Sequence, residues 1–487
     1  MTLKLTYEKK AVSLLPDDGQ LKLEQSAQRL AALRAKLEEA EAAYSLEKTA
    51  LLEMAKERRS SQLKIGIVEN LKIAVQGSAP VQVLWSNKAR RALPTENIPE
   101  LRRAFGADYS ACVKETCSIS LRPGMSLDAM EKFFISMGEK PFRARQTFQW
   151  IHQKGISKFS DMTNLSKNLQ STLEKHAEIR PPEIVYEKDS KDGTRKWVLS
   201  VGEGDLVEMV LIPEGKRATL CVSSQVGCAV DCSFCATGKQ GFSRNLSTAE
   251  IIGQVWVAEN SFGTPRDHGS KNVTNVVMMG MGEPLLNFEP VTEAMNLMMH
   301  DKAYGLSKRK VTLSTSGLVP MIDKLSEVTD AALTISLHAP NDKLRNDLVP
   351  LNKKYPIKKL LEAVMRYVEK CGDQRKTTME YILINKVNDS IDDAKELAKI
   401  LRDVPSKINL IPFNPFPGTE YKRPSNMRVE TFKKILQKEG YITTVRTTRG
   451  EDIMAACGQL VGKVNDRTNR KERSAKKNKI IKTKSLV

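Results

Sequence analysis

The chain has 487 residues, and its 77 lysines and arginines outnumber its 58 aspartates and glutamates, giving a net charge of +19. This excess favours a polyanionic partner, of which nucleic acid is the first candidate, while 40% hydrophobic and 28% charged residues exclude a disordered or fibrous chain. No secretory signal and no apolar run of the ~20 residues that cross a bilayer is found, so we expect a cytoplasmic protein without membrane attachment, whose cysteines stay reduced.

Residues 1–120 are predicted to form an extension with one long helix. Residues 20–62 carry an imperfect heptad, with Leu23, Leu30 and Leu37 in one seam, which is typical of a coiled coil or a helical hairpin. Because polar residues interrupt the seam, we expect no oligomer apart from a coiled-coil contact through residues 20–62. The sequence predicts no function for this extension.

The remaining chain is predicted to contain three parts. Residues 121–190 form a small helical domain with basic faces, suited to RNA. In residues 191–440, strands are followed from residue 217 by six β-α repeats, which predict a parallel sheet, either doubly wound or a barrel. Residues 441–487 form a C-terminal segment whose tail, 463–487, has ten lysines and arginines against two acidic residues. Such a tail is suited to phosphate contacts.

The stretch "CAVDCSFC" is the clearest candidate for a metal centre. It places Cys228, Cys232 and Cys235 between a predicted strand and a predicted helix. Structural zinc takes four protein ligands, and the only further candidates, Cys221 and His268, lack a zinc-finger spacing. Three thiolates on a four-iron cluster leave one iron open for a small molecule, so the pattern favours an iron–sulfur cluster over zinc.

The sequence resembles the RlmN/Cfr family of radical S-adenosylmethionine (SAM) enzymes over about residues 126–475, and it resembles RlmN more closely. The extension 1–120 is not covered. The matching stretches are "TLCVSSQVGCAVDCSFCATGKQGFSRNLSTAEI", "MMGMGEPLLN", "VTLSTSG", "ISLHAPND", "IPFNPFPG" and "RGEDIMAACGQL". The resemblance implies an α/β fold with a partial (β/α)6 radical SAM barrel, and formation of 2-methyladenosine in 23S rRNA and in some tRNAs. It also implies a 4Fe-4S cluster on the three cysteines, SAM as the second cofactor, and an electron donor such as flavodoxin.

The family's chemistry suits an unreactive carbon. C2 of adenine is electron-poor, so a methyl group cannot reach it by simple displacement, whereas a radical can add there. The resemblance implies that one SAM methylates Cys457 and that a second SAM yields the radical that takes hydrogen from this methyl group. The resulting methylene radical adds to C2 of the base. Glu208 matches the family's proton acceptor, and Cys221 matches the thiol that attacks the sulfur of Cys457, forms a disulfide bond and releases the product.

Seven residues match the family's SAM-binding positions. Each follows or ends a predicted strand, where catalytic groups lie in α/β barrels. They are Gly282, Glu283, Ser314, Ser336, Leu337, His338 and Asn414.

Two alternatives stay open at this point. The first is a Cfr-type enzyme that methylates C8 of the same adenosine with the same thiols. The second is a non-enzymatic metal-containing protein that binds RNA.

Overall fold

The computed structural model describes residues 124–202, 204–262, 272–372 and 375–462, together with the backbone of three short strands nearer the N-terminus. The chain divides into two compact units, Met1–Ile119 and Ser120–Val487. In the first unit, strands Leu71–Ile73 and Val81–Val83 pair antiparallel. The third short strand is Ile119–Ser120. The predicted coiled-coil helix of residues 20–62 and the basic tail 463–487 lie outside the described residues.

The second unit begins with the predicted helical domain. Its helices are α1 (Leu127–Ser136), α2 (Pro141–His152) and α3 (Lys167–His176). A 3-10 turn at Phe159–Asp161 and a two-residue strand, Ala177–Glu178, complete this part. The hydroxyls of Ser126 and Ser166 accept the backbone N–H groups that would otherwise be unpaired at the starts of α1 and α3. The prediction of helices in this region is confirmed.

A ten-stranded sheet forms the centre of the second unit, and its strand order repeats the chain order. The first three strands and β4 pair antiparallel, whereas β4 to β10 are all parallel. The strands are β1 (Glu183–Asp189), β2 (Arg195–Ser200), β3 (Leu206–Glu214), β4 (Arg217–Cys221), β5 (Asn275–Met278), β6 (Val311–Thr315), β7 (Ala332–Ser336), β8 (Thr377–Leu383), β9 (Ser406–Pro412) and β10 (Thr443–Val445). Central strand residues such as Leu220, Val276 and Leu313 are fully buried.

Helices connect the parallel strands, as the repeats predict. They are α4 (Ala236–Gln240), α5 (Thr248–Asn260), α6 (Phe288–Met299), α7 (Val319–Val328), α8 (Asp342–Leu348), α9 (Ile357–Cys371), α10 (Ile391–Ile400) and α11 (Asn426–Lys438). Short 3-10 turns lie at Pro284–Asn287, Pro350–Lys353 and Glu451–Ile453. A capping box of Ser247 and Glu250 is present at the start of α5.

The predicted fold class is confirmed, with one addition. The six predicted strands of the repeats are β4 to β9, and the short β10 is a seventh parallel strand. The division of the chain at residues 120, 190 and 440 stays a prediction. Among the described residues, no helix combines the length and apolarity needed to cross a membrane.

Candidate cluster and thiol site

The three predicted ligand cysteines lie on one closed loop. Two short antiparallel strands, Gln225–Gly227 and Phe242–Asn245, form a ribbon at its base. The backbone N–H of Cys228 donates to the carbonyl of Gly241 (2.7 Å), and the N–H of Cys235 donates to the carbonyl of Cys232 (3.2 Å). These bonds fold residues 228–235 into one loop between the ribbon and α4.

The three cysteine thiols of the loop influence one another electrostatically. Burial, and then the neighbouring Cys235 and Cys228, raise the pKa of Cys232 well above its ordinary value, which places the three sulfurs within electrostatic reach of one another. Among the described residues, no group of three or more His, Cys, Asp or Glu side chains is gathered tightly enough for a single metal ion. Cysteine thiolates are the ligands of iron–sulfur clusters, so the donor set of Cys228, Cys232 and Cys235 fits such a cluster.

The segment that carries Cys457 lies directly against this loop. Residues 455–462 bond to α4, which begins right after Cys235, and to β3. The bonds are Ala236 N–H to the Gly458 carbonyl (2.8 Å), Thr237 Oγ1 to the Leu460 carbonyl (2.6 Å), the Gly462 N–H to Gln240 Oε1 (3.1 Å) and the Val461 N–H to Glu208 Oε2 (2.9 Å). The fold therefore brings Cys457 beside the cysteine loop although more than two hundred residues separate them in the chain.

Cys221 and Cys457 share one electrostatic environment. Burial is the main cause that raises the pKa of Cys221 to about 12, and burial also raises the pKa of the Cys457 thiol. The guanidinium of Arg446 opposes both shifts, and it lines a pocket together with Cys457 and Asn414. Both cysteines are free thiols, so the predicted disulfide bond is not supported by the structure. At rest the two thiols are protonated, and Arg446 is the cation placed to stabilise a thiolate.

Glu208 takes part in a buried ion pair on the antiparallel side of the sheet. Its Oε1 lies 2.8 Å from Nζ of Lys196, and both side chains are less than 10% exposed. Burial raises the pKa of Glu208 despite the partial compensation by Lys196 and by the N–H of Val461. Lys196 also donates to the Met454 carbonyl (3.1 Å), so the pair holds the segment of Cys457 at two points.

Gly282 and Glu283 connect the end of β5 to the ribbon. Gly282 has φ of +104°, and a Cβ at this position would lie 2.8 Å from the backbone nitrogen of Gln225, so only glycine fits. The Glu283 N–H donates to Gln225 Oε1 (2.9 Å), while its own carboxylate accepts from the N–H groups of Leu285 (3.1 Å) and Ser316 (2.7 Å). Burial is the main cause that raises the pKa of Glu283.

Two further predicted positions meet at the ends of β6 and β7. Ser314 Oγ lies 3.4 Å from Ser336 Oγ. After Leu337, His338 adopts a left-handed backbone with φ of +62°, and its Nδ1 accepts from the N–H of Ile382 (3.1 Å). Burial lowers the pKa of His338 to about 3, so its ring is neutral and packs edge-on against Phe234 of the cysteine loop at a centroid distance of 4.7 Å.

Comparison with known proteins identifies the family. Residues 123–179 match the ribosomal RNA large subunit methyltransferase N-terminal domain, and residues 222–401 match the radical SAM superfamily. Proteins named dual-specificity RNA methyltransferase RlmN are 61% identical to the chain in Marinobacter nauticus over 350 residues (72% of this chain, 95% of the relative) and in Marinomonas sp. over 352 residues (72% and 95%). The chain belongs to the RlmN family of radical SAM RNA methyltransferases.

A solved structure agrees with the RlmN assignment. The radical SAM methyltransferase from Sphaerobacter thermophilus is 42% identical, with a TM-score of 0.65, and the match covers 69% of this chain and 98% of that one. As an RlmN-family enzyme, the chain uses a 4Fe-4S cluster and SAM. The predicted alternative of a non-enzymatic RNA-binding protein is therefore wrong.

In this RlmN-family chain, the structure gathers the predicted site residues into one region. Gly282 and Glu283 meet the ribbon, His338 meets Phe234, and the Asn414 side chain donates to the Cys457 carbonyl (3.4 Å). The role of each residue stays a prediction.

Sequence reasoning missed four charged residues of the RlmN-family site, namely Lys196, Arg345, Glu380 and Arg446. Lys196 sits in an ordinary strand and Arg345 in the helix-like stretch "NDKLRNDL", where charges are commonly exposed, yet both are buried. Glu380 is buried in β8 beside the charge of Arg446. No local pattern distinguishes these positions, because their burial depends on strands and loops far away in the chain.

Proposed function

We propose that this chain forms 2-methyladenosine in 23S rRNA and in tRNA, acting in the cytoplasm. The observation that carries the proposal is the attachment of the Cys457 segment to α4, the helix that starts right after Cys235. A thiol held there by a fixed backbone is suited to carry a methyl group between SAM and a base. The RNA substrates follow the names of the similar proteins, which are dual-specificity RNA methyltransferases.

The cofactors have defined places in this proposal. Cys228, Cys232 and Cys235 hold the cluster, which with SAM bound supplies the one-electron cleavage that yields a carbon radical. Gly282 and Glu283, with the ends of β6 and β7 and Asn414, form the SAM site. Gly282 lets the backbone after β5 approach the ribbon, and the buried Glu283 carboxylate accepts the N–H of Leu285 after β5 and the N–H of Ser316 after β6.

Cys457 acts as the methyl carrier and Cys221 as the thiol that frees the methylated base. Each must lose a proton before its sulfur reacts as a thiolate. Burial opposes this loss, and the guanidinium of Arg446 favours it at both sulfurs. Glu208 takes the C2 proton, because its raised pKa makes the buried carboxylate a better base than an exposed one.

The remaining partners follow from charge and chemistry. The basic helical domain and the basic C-terminal tail bind structured RNA through phosphates. In α2, the side chain of Arg145 is half-exposed and forms an ion pair with Glu131. A low-potential protein such as flavodoxin delivers the electron, because SAM cleavage consumes one electron from outside the chain.

The test is an anaerobic assay of the purified, iron-reconstituted protein with a 23S rRNA fragment or tRNA, SAM and a reductant. We expect 2-methyladenosine, identified by chromatography against C2 and C8 standards, whereas 8-methyladenosine would establish the Cfr-type alternative. Cys457→Ala abolishes product and keeps the cluster absorbance, and Cys371→Ala, which changes a free cysteine at the end of α9, keeps both. Loss of the cluster in Cys457→Ala would make Cys457 a structural residue instead.

A further inference from the structure

Arg345 in α8 is a fully buried cation bonded to neutral acceptors. Its side chain is 0% exposed. Its guanidinium donates to three backbone carbonyls and one side-chain amide. These acceptors are the carbonyls of Leu337 (2.9 Å), Ser336 (3.1 Å) and Ser316 (2.7 Å), and Oδ1 of Asn352 (2.8 Å). Hydrogen bonds to neutral groups satisfy the donors, but none of these acceptors carries a negative charge that would pair with the guanidinium directly.

The helix that carries this charge touches the cysteine loop. The N–H of Ser233, next to Cys232, donates to the carbonyl of Leu348 at the end of α8 (3.0 Å). Leu348 and Val349 belong to an apolar cluster against which all three ligand cysteines pack. Burial lowers the pKa of Arg345 to about 10, so it stays cationic at neutral pH, and two anionic groups, the Cys232 thiolate and the Asp342 carboxylate, favour its charged form.

A buried charge of this kind is retained where an anion balances it. The three thiolates and the cluster between them bring net negative charge to the loop, and reduction by one electron increases it. A fixed cation in the helix that contacts the cysteine loop stabilises the reduced form of the cluster more than its oxidised form.

We propose that Arg345 is a positioning residue that sets the reduction potential of the cluster, raising it through a buried positive charge whose hydrogen-bond acceptors are all neutral. The same side chain fixes the carbonyls that follow β6 and β7, where Ser314 and Ser336 lie, so it joins the cluster loop to the SAM site. This inference rests on the proposed binding of the cluster by Cys228, Cys232 and Cys235, which iron content tests separately.

The experiment is a redox titration of the full-length, iron-reconstituted protein without SAM, followed by electron paramagnetic resonance, with iron and sulfide measured for each variant. Arg345→Gln removes the charge, and Arg345→Lys keeps it with fewer donors. Arg375→Gln is the control, because Arg375 also bonds to a backbone carbonyl, that of Asp330, with whose carboxylate it forms an ion pair, but it lies at the amino end of β8, whereas the cysteine loop follows the carboxyl end of the parallel strand β4.

We expect a full iron content and a more negative midpoint potential for Arg345→Gln, with the potentials of Arg345→Lys and Arg375→Gln near that of the wild type. A wild-type potential in cluster-loaded Arg345→Gln would overturn the proposal. So would a shifted potential, or failure to hold the cluster, in Arg345→Lys, because either result would show that hydrogen bonding rather than charge matters. If Arg345→Gln alone fails to assemble, an unchanged potential in Arg345→Lys supports the role of the charge. Low iron in the wild-type protein would instead refute the cluster assignment itself.

Discussion

Replacement of Lys196 by methionine tests how the methyl-carrier segment is held. The ammonium of Lys196 lies 2.8 Å from Oε1 of Glu208, and it also donates to the Met454 carbonyl at 3.1 Å. Both charges are buried. Removing the lysine leaves a carboxylate without its counter-ion next to the Val461 N–H, so the segment 455–462 loses its anchor on the sheet.

The magnitude follows from the burial of the pair. Breaking a buried ion pair by removing one partner costs about 3–5 kcal/mol, since the remaining charge stays desolvated. A loss of about 3 kcal/mol in the local opening free energy corresponds to a more than hundredfold faster exchange of protected amides. Val461 is the residue whose amide should respond most, because it donates to the carboxylate directly.

The assay is hydrogen–deuterium exchange by mass spectrometry, read in peptides that cover 455–462, with α9 as an internal reference. The double variant Lys196→Met/Glu208→Gln removes both charges and keeps an acceptor for Val461, so we expect it to recover most of the lost protection. Unchanged exchange in Lys196→Met, or a double variant whose exchange equals the sum of the single effects, would refute the reasoning that the pair anchors this segment.

Three further predictions concern the site. Gly282→Ala weakens SAM binding, measured by equilibrium dialysis, by about tenfold or more, because the new Cβ would clash with a backbone nitrogen of the ribbon. The control Gly418→Ala leaves the affinity for SAM unchanged, because Gly418 also has a positive φ but has open space around it. Equal effects of the two substitutions would implicate backbone strain alone. As the pH falls from 6.5 to 5, the wild-type protein loses about 2 kcal/mol of its free energy of unfolding through His338. Burial lowers the pKa of His338 in the folded state to about 3, so only the unfolded state binds the proton in this pH range. Denaturant titrations of His338→Asn should not show this loss of stability. Arg446→Gln raises the pKa of Cys457 and slows its alkylation by iodoacetamide at pH 8 by about tenfold, and an unchanged rate would remove Arg446 from thiolate stabilisation.

Much of the fold could be predicted because its determinants are local. Helix α5, for example, begins at Thr248 because Ser247 and Glu250 form a capping box within four residues, a pattern visible in the sequence. The strands of the repeats are short apolar runs that end in polar or glycine residues. The strand β10 was not predicted, because three residues, Thr443–Val445, carry too little pattern to be distinguished from a loop.

The site could be predicted only in part, for a related reason. Three cysteines within eight residues are visible in any reading of the chain. The bonds that place Cys457 beside them join residues more than two hundred positions apart, such as Thr237 and Leu460. The burial of Arg345 is equally non-local, since three of its acceptors follow β6 and β7 while the arginine itself belongs to α8.

The agreement between strand order and chain order has a consequence for biosynthesis. Each strand of the sheet pairs with the strand made just before it, so the sheet can grow at one edge while the chain is still being translated. The cysteine loop is complete long before the ribosome reaches Cys457, and the donor hydroxyl of Thr237 has no Leu460 carbonyl to bind until then. A nascent chain would thus expose one side of its metal-binding loop until residues 455–462 are made and pack against α4.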